Sequence, residues 1–202
     1  MTMTKLDPAS LKAAAFAMTG LRPVPVAITT VHGGRTNGLI SLSGGPASIV
    51  PEAPRVMVGV TKYNFSHDLI LASGVFTIHV LGSSAELLES SLDIIRALGG
   101  RSGREGDKLA GLRTRLGITG APILLDALTY VEARITGSLD NEENTIFVGD
   151  VVAAERLHAG GRLDIATAWA GLGPEWVDEY ERNHEPQVAH SRAMRGLVPV
   201  GA

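Results

Sequence analysis

Between residues 37 and 67 the chain carries side chains suited to holding a phosphate and a hydroxylated chain. Asn37-Gly38-Leu39-Ile40-Ser41-Leu42-Ser43 offers an amide, a backbone position open to close approach at Gly38, and hydroxyls at Ser41 and Ser43, with Ser48 following. Thr61, Lys62, Asn64, Ser66 and His67 add further hydroxyls, an imidazole and a cation. Such groups suit a phosphate, because hydrogen bonds to an ionised oxygen are the strong ones and successive backbone amides form anion-binding hollows. The plainer alternative is that Asn-Gly is a common hairpin turn and that Ser-rich segments are solvated loops. His67 has its own plain reading, as a cap on the helix suggested by Asp68-Leu69-Ile70-Leu71. His79 lies within an apolar run and reads as a hydrogen-bonded core or interface histidine. His184 and His190 lack the i, i+4 spacing of a helical metal pair, so no metal is expected. With no cysteine in the sequence there is no thiol nucleophile, disulfide or thiolate-held cluster, and any redox chemistry needs a bound cofactor.

The elements that must position these residues are mostly strands. Val24, Val26 and Ile28 alternate with other residues in a strand opening at Arg22-Pro23, and Val56, Val58 and Val60 repeat the period. Between them, residues 32–54 are rich in Gly, Ser and Pro and read as a polar turn, loop and short strand, with Gly33-Gly34 as a hairpin turn. Phe76-Thr77-Ile78-His79-Val80-Leu81 gives another strand. Ser83 with Glu86 forms a capping box, which predicts a helix from Ser83 with Leu87, Leu88, Leu92 and Ile95 on one face, ending at Gly99. Residues 99–106 have the Gly content of a phosphate loop but neither the Walker nor the GxGxxG spacing, and read as a mobile surface loop. Val131, Ala133 and Ile135 alternate with polar residues, and residues 145–152 form an apolar run after the turn-forming Asp140-Asn141-Glu142-Glu143-Asn144. An antiparallel pair is expected there. Short strands with one or two helices argue for a mainly β fold, a small barrel of Greek-key type.

With 202 residues, one barrel domain with extensions is expected, bounded as residues 1–20, 21–163 and 164–202. The net charge of -3, from 18 basic and 21 acidic residues in no long block, leaves no footprint for nucleic acid. Asp7-Pro8 is a helix entry and Gly20 a terminator, so the apolar residues between read as a short helix packed on the barrel rather than a signal peptide. No membrane segment is expected, and the cytoplasm is the expected location. Trp169, Trp176 and Tyr180 gather after Asp164, and such aromatics gain most from burial. That segment is expected to pack on the domain or on a second subunit.

The order of these segments resembles the flavin reductase family, whose members bind FMN on a split β-barrel. The resemblance rests on residues 22–30, 37–43, 48, 55–62, 76–81 and 145–151. It implies that Asn37, Gly38, Leu39, Ile40, Ser41, Leu42, Ser43 and Ser48 line the flavin, and that Thr61, Lys62, Ser66 and His67 meet its phosphate and ribityl chain. The family has an Asp-Lys pair after its helix, here Asp107-Lys108. It implies NADH or NADPH as electron donor, a homodimer with the site at the interface, and a flavin-dependent monooxygenase as partner. Many members carry Gly-Asp-His before the strand that here starts at Thr145, with the His beside flavin and nicotinamide; this chain has Glu142-Glu143-Asn144. Asn144 exchanges hydrogen bonds but carries no proton or positive charge. Two other readings stay open: a flavin-binding electron carrier reduced by a partner protein, and a flavin-free barrel serving as an interaction module.

Overall fold

The computed structural model describes residues 7–21 and 24–197; Arg22-Pro23, where the first strand was expected to open, lie outside them. The first helix, α1 (Pro8–Gly20), is capped by Asp7, whose Oδ1 accepts from the amides of Ala9 at 2.9 Å and Ser10 at 3.1 Å. It does not pack on the barrel as expected: Leu11 is 55% exposed and Phe16 82%. Its apolar residues, mostly alanines, form no single stripe to bury.

Strands β1 (Val26–His32) and β2 (Arg35–Ser41) form a hairpin whose turn is Gly33-Gly34, with φ of +57° and +76°. Both glycines take the left-handed conformation that a two-residue hairpin turn requires. The register runs from Val26 opposite Ser41 to His32 opposite Arg35. The hairpin turn falls at Gly33-Gly34, as expected, while residues 37–41, within the stretch read as loop and short strand, are strand, with Asn37-Gly38 opposite Thr30 and Thr29.

β3 (Gly44–Pro46), β4 (Arg55–Thr61), α2 (Phe65–Ser73), β5 (Val75–Val80) and α3 (Leu88–Gly99) follow, then the short β6 (Thr114–Leu116) and β7 (Pro122–Leu124). A long hairpin of β8 (Thr129–Asn141) and β9 (Asn144–Arg156) precedes α4 (Ile165–Leu172) and α5 (Pro174–Met194). Seven strands make one antiparallel sheet in the order β2-β1-β5-β8-β9-β4-β3, with β6-β7 apart. The chain passes directly from β2 at one edge to β3 at the other, and the Gly59 amide donates to Ser43 O at 3.0 Å. The two edges thus meet, and the sheet curls into a half-barrel around Ile28, Val58, Val60, Ile70, Phe76 and Phe147.

A second core lies outside the barrel, where Leu92, Ile95 and Leu98 of α3 meet Leu81, Leu163, Ala168 and Leu172, with Trp169 and Trp176 against its side. Each large side chain buried this way stabilises by about 1.5–3 kcal/mol. The aromatic segment after Asp164 packs on its own domain through Ala168, Trp169, Leu172 and Trp176. α3 itself starts later than its sequence signal, at Leu88 instead of Ser83. The Ser83 amide donates to Gly161 O at 2.9 Å, beside the bridge between Gly82 and Arg162, which holds Ser83 in extended pairing. No helix among the described residues is long and apolar enough to cross a membrane.

Candidate functional site

A cavity of about 570 Å³ opens between β2, the entry to α2, the loop after α3, and α5. Small-molecule sites span roughly 300–1,000 Å³. β2 contributes Asn37, Gly38, Leu39 and Ile40, and the α2 entry contributes Asn64 and Ser66. The buried Asn37 donates from Nδ2 to Ser66 Oγ at 2.9 Å, which joins the two walls. Gly38 suits this position because a Cβ would stand 2.9 Å from Leu98 Cδ2 and 3.0 Å from Ile28 O.

The third wall is the segment expected to be a mobile surface loop. Arg35 donates from Nη2 to Gly103 O at 2.9 Å, and its guanidinium lies 4.2 Å from the centre of the Phe65 ring. Arg104 donates to Tyr63 O at 2.9 Å and pairs with Asp68 at 3.1 Å. These contacts fasten the loop to the α2 entry, and Gly103 is pressed so closely on the Asn37 amide that a Cβ there would overlap it. A local Gly/Ser/Arg composition resembles a free loop because the partners that hold it lie far away in sequence.

Lys108 follows on the same wall. It is 6% exposed, faces the cavity, and makes no hydrogen bond or ion pair with the described residues. Burial pushes its ammonium down to about 8, with the positive charge of Arg101 adding to the fall and Glu105 opposing it. A buried, unpaired cation is costly, and an anionic ligand is its natural partner. The sequence signal for this residue was the Asp107-Lys108 pair, but nothing local showed the burial.

The residues expected to bind ligand divide. Asn37, Gly38, Leu39, Ile40 and Ser66 lie on the cavity wall. Thr61 adjoins it, its Oγ1 accepting from Gln187 Nε2 at 2.8 Å and from Asn64 Nδ2 at 2.6 Å. Ser41, Leu42, Ser43 and Ser48 lie off this wall; Ser41 Oγ accepts from the Ser43 amide at 3.1 Å and Ser48 Oγ from the Val50 amide at 3.0 Å. Lys62 is turned away as well, both Asp140 carboxylate oxygens accepting from its Nζ at 2.8 Å. That pairing holds Asp140 below the usual carboxylate range.

His67 is buried in the first turn of α2, with Nε2 2.9 Å from Thr145 Oγ1 and its ring beside Phe147. It does not cap the helix: the N-cap residue is Asn64, and the imidazole points toward β9. His79 is core, as read. Its Nδ1 donates to Ala27 O at 3.2 Å, its Nε2 accepts from the Leu124 amide at 3.0 Å, and burial pushes it down to about 4, so it is neutral. Among the described residues no group of three or more His, Cys, Asp or Glu is placed to hold a metal.

Asn144 closes the β8–β9 hairpin. Its Oδ1 is buried without a hydrogen-bond partner, an atom ready to accept from a ligand or an ordered water. The turn also holds Glu142 at φ 57°, while Glu143 accepts the Lys62 amide at its carbonyl and pairs with Arg195 at 3.2 Å. Taken as chemistry, the cavity has a cationic end at Lys108 and Arg101 and a hydroxyl- and amide-bearing wall at Asn37, Asn64 and Ser66. Those are the donors a phosphate and a polyol take up.

The family model for the flavin reductase like domain matches residues 19–166. A high molecular weight rubredoxin of Moorella thermoacetica is 35% identical over 140 residues, covering 69% of this chain and 58% of that protein. The chain thus spans a little over half the length of that relative. The ferric-chelate reductase (NAD(P)H) of Archaeoglobus fulgidus is 29% identical over 131 residues, 64% of this chain and 73% of the relative. HsaB, the reductase subunit of a flavin-dependent monooxygenase of Mycobacterium tuberculosis, is 30% identical over 163 residues, 76% and 81% of the two chains. Among solved structures, an FMN-binding protein from Thermus thermophilus with bound p-hydroxybenzaldehyde aligns with a TM-score of 0.58 at 27% identity, covering 66% of this chain and 71% of that one.

Proposed function

The chain belongs to the flavin reductase like family, and from that premise we propose that it is an NAD(P)H-dependent flavin reductase that binds FMN at the cavity lined by β2, α2 and Lys108. The observation that carries this reading is Lys108, a buried ammonium with no hydrogen bond or ion pair among the described residues, at the end of a wall of amides and hydroxyls. FMN fits that donor set: its phosphate carries about -1.5 to -2 charges at neutral pH, and its ribityl chain is hydroxylated. Lys108 and Arg101 would hold the phosphate, in place of the Lys62 that the resemblance suggested, and Asn37, Asn64 and Ser66 the polar chain. Bound FMN supplies the centre that accepts hydride from the nicotinamide and passes electrons on. The protein's share is to bind, orient and exclude water. Asn144, with a buried oxygen lacking a partner among the described residues where many relatives have His, lies off the lining of this cavity and can accept a hydrogen bond but cannot move a proton.

The second reading, an electron carrier reduced by a partner, is not favoured, since relatives bear names of NAD(P)H-dependent reductases. A monooxygenase is the partner suggested by HsaB. A homodimer is supported by the outer face of β4, β9 and β8. Met57 pairs with Val148, and Ile146 with Leu139, so these four apolar side chains adjoin on it; Met57 is 41% exposed and Leu139 61%. Adjoining exposed apolar groups mark a surface that another chain covers. The enzyme would act in the cytoplasm, where both nicotinamides are at hand.

An anaerobic absorbance scan with FMN, before and after NADH or NADPH, tests the reading. Bound flavin whose bands bleach with nicotinamide is the expected result. Flavin that binds and stays oxidised with both donors refutes the reductase, and no binding at all refutes the site.

A further inference from the structure

The fourth wall of the cavity is α5, and it lies wholly beyond the stretch matched by the family model. We infer that α5 completes the flavin site in cis, presenting Asn183 and Gln187 to the ligand, and that its latch onto the β4 and β8–β9 ends governs how fast flavin leaves. This rests on the flavin reading above.

The first half of α5 is anchored by packing. Trp176 and Tyr180 stack at 5.1 Å between ring centres, Trp169 meets Tyr180 edge-on at 5.8 Å, and both α5 rings reach Gly99 at the end of α3. The second half crosses the cavity on a few polar contacts and one ring contact, His190 against Tyr63 at 5.6 Å between ring centres. Asn183 Nδ2 donates to Gly100 O at 3.3 Å, Gln187 Nε2 donates to Thr61 Oγ1 at 2.8 Å, and Arg195 pairs with Glu143 at 3.2 Å. No residue of α5 is buried, and a part-exposed ion pair of this kind contributes little to stability.

Pro186 sits in the middle of this half, on the cavity wall. It cannot donate to Arg182 O, and its ring crowds that carbonyl, so the weakest turn of α5 lies over the cavity. A helix well anchored at one end and lightly latched at the other can lift without unfolding the domain. The side-chain oxygens of Asn183 and Gln187 take no hydrogen bond from the described residues. Both remain free to accept from ribityl hydroxyls or ring N–H groups.

The latch also gives the unusual hairpin turn a role. Glu143 stands one residue before Asn144, and in pairing with Arg195 it ties the end of α5 to the β8–β9 turn.

The test measures FMN dissociation by stopped-flow fluorescence from the full chain. Asn183→Ala/Gln187→Ala and, separately, Arg195→Glu are each expected to release FMN about tenfold faster, the loss of roughly one to two hydrogen bonds or their equivalent. Glu143→Arg added to Arg195→Glu restores the pair with its charges exchanged and should bring the rate back toward wild type, which a general loss of structure would not. FMN should also slow trypsin cleavage after Arg182. Wild-type rates in both variants, or cleavage after Arg182 unaffected by bound FMN, overturn the inference while leaving flavin binding intact. Failure of the wild-type chain to bind FMN instead removes the reading on which it stands.

Discussion

Lys108→Met should make the flavin-free protein more stable and the flavin complex weaker. In the folded chain the ammonium titrates at about 8 instead of 10.5. At 1.36 kcal/mol per pH unit, holding it charged in the empty cavity costs about 3 kcal/mol. The sign follows from proton counts. Between pH 8 and 10.5 the unfolded chain binds the Lys108 proton more tightly than the folded one, so this group's contribution improves as pH rises through that window. Below 8 the full penalty applies. Met keeps the length and apolar contacts of the lysine stem and removes the charge, so at pH 7 the flavin-free variant should gain up to about 3 kcal/mol, or about 6–12 °C in Tm. On the proposed reading, the same residue meets the phosphate in the complex. Loss of a hydrogen bond to a charged group, about 1.5–3 kcal/mol, should weaken FMN binding by about 10- to 150-fold. Melting of the flavin-free proteins at pH 7 and pH 10 reads the first effect, and quenching of FMN fluorescence in a titration reads the second. A variant that melts lower than wild type would show that Lys108 has a protein partner. One that melts higher but binds FMN unchanged would remove Lys108 from the phosphate site.

Three further outcomes are expected. Glu142→Gly relieves a left-handed residue, φ 57°, at a two-residue hairpin turn; the relief of about 1–2 kcal/mol, partly offset by the chain entropy of glycine, should raise Tm by a few degrees, and a lower Tm would contradict the strain. His79 is held neutral with its value near 4 against 6.5, so stability should be complete above pH 6.5 and fall by about 3 kcal/mol as pH drops to 4; urea titrations of wild type and His79→Gln at pH 7 and 4.5 should show that fall shrinking in the variant. Met57→Glu/Leu139→Glu should convert a dimer to a monomer in light scattering without loss of Tm; a still-dimeric variant would move the interface elsewhere, and a monomeric wild type would refute the dimer.

Strands were legible because their signals are local: period-2 apolar residues for β1, β4 and β8, and short apolar runs for β5 and β9. β2 was hidden in part. Its Asn, Gly and Ser are poor strand formers, and it is a strand because β1 pairs along its whole length. The start of α3 failed for the converse reason: the Ser83/Glu86 capping signal is genuine chemistry, but Ser83 is claimed by Gly161 before a helix can form. Local preference yields wherever long-range pairing offers the same backbone group a better partner.

The site follows the same rule, with one added step. Asn37, Gly38 and Ser66 were singled out because each carries its chemistry in its own residue type, and all three reach the cavity wall. Lys62 and Lys108 could not be told apart, since a lysine's role depends on what else is near it. Asp140, 78 residues on, takes Lys62 out to the hairpin, whereas Arg35, Arg104 and Asn37 pin the loop after α3 so that Lys108 is enclosed without an ion pair among the described residues, the charge of Glu105 only partly offsetting its burial. Of two equal charges, the one left unsatisfied inside the cavity is the one available to a ligand. The same criterion marks the amide oxygens of Asn183 and Gln187 on α5, which take no hydrogen bond from the described residues. Polar capacity that folding does not use is therefore what Lys108 shares with the α5 wall, and it is a property of the folded chain that no single segment of sequence displays.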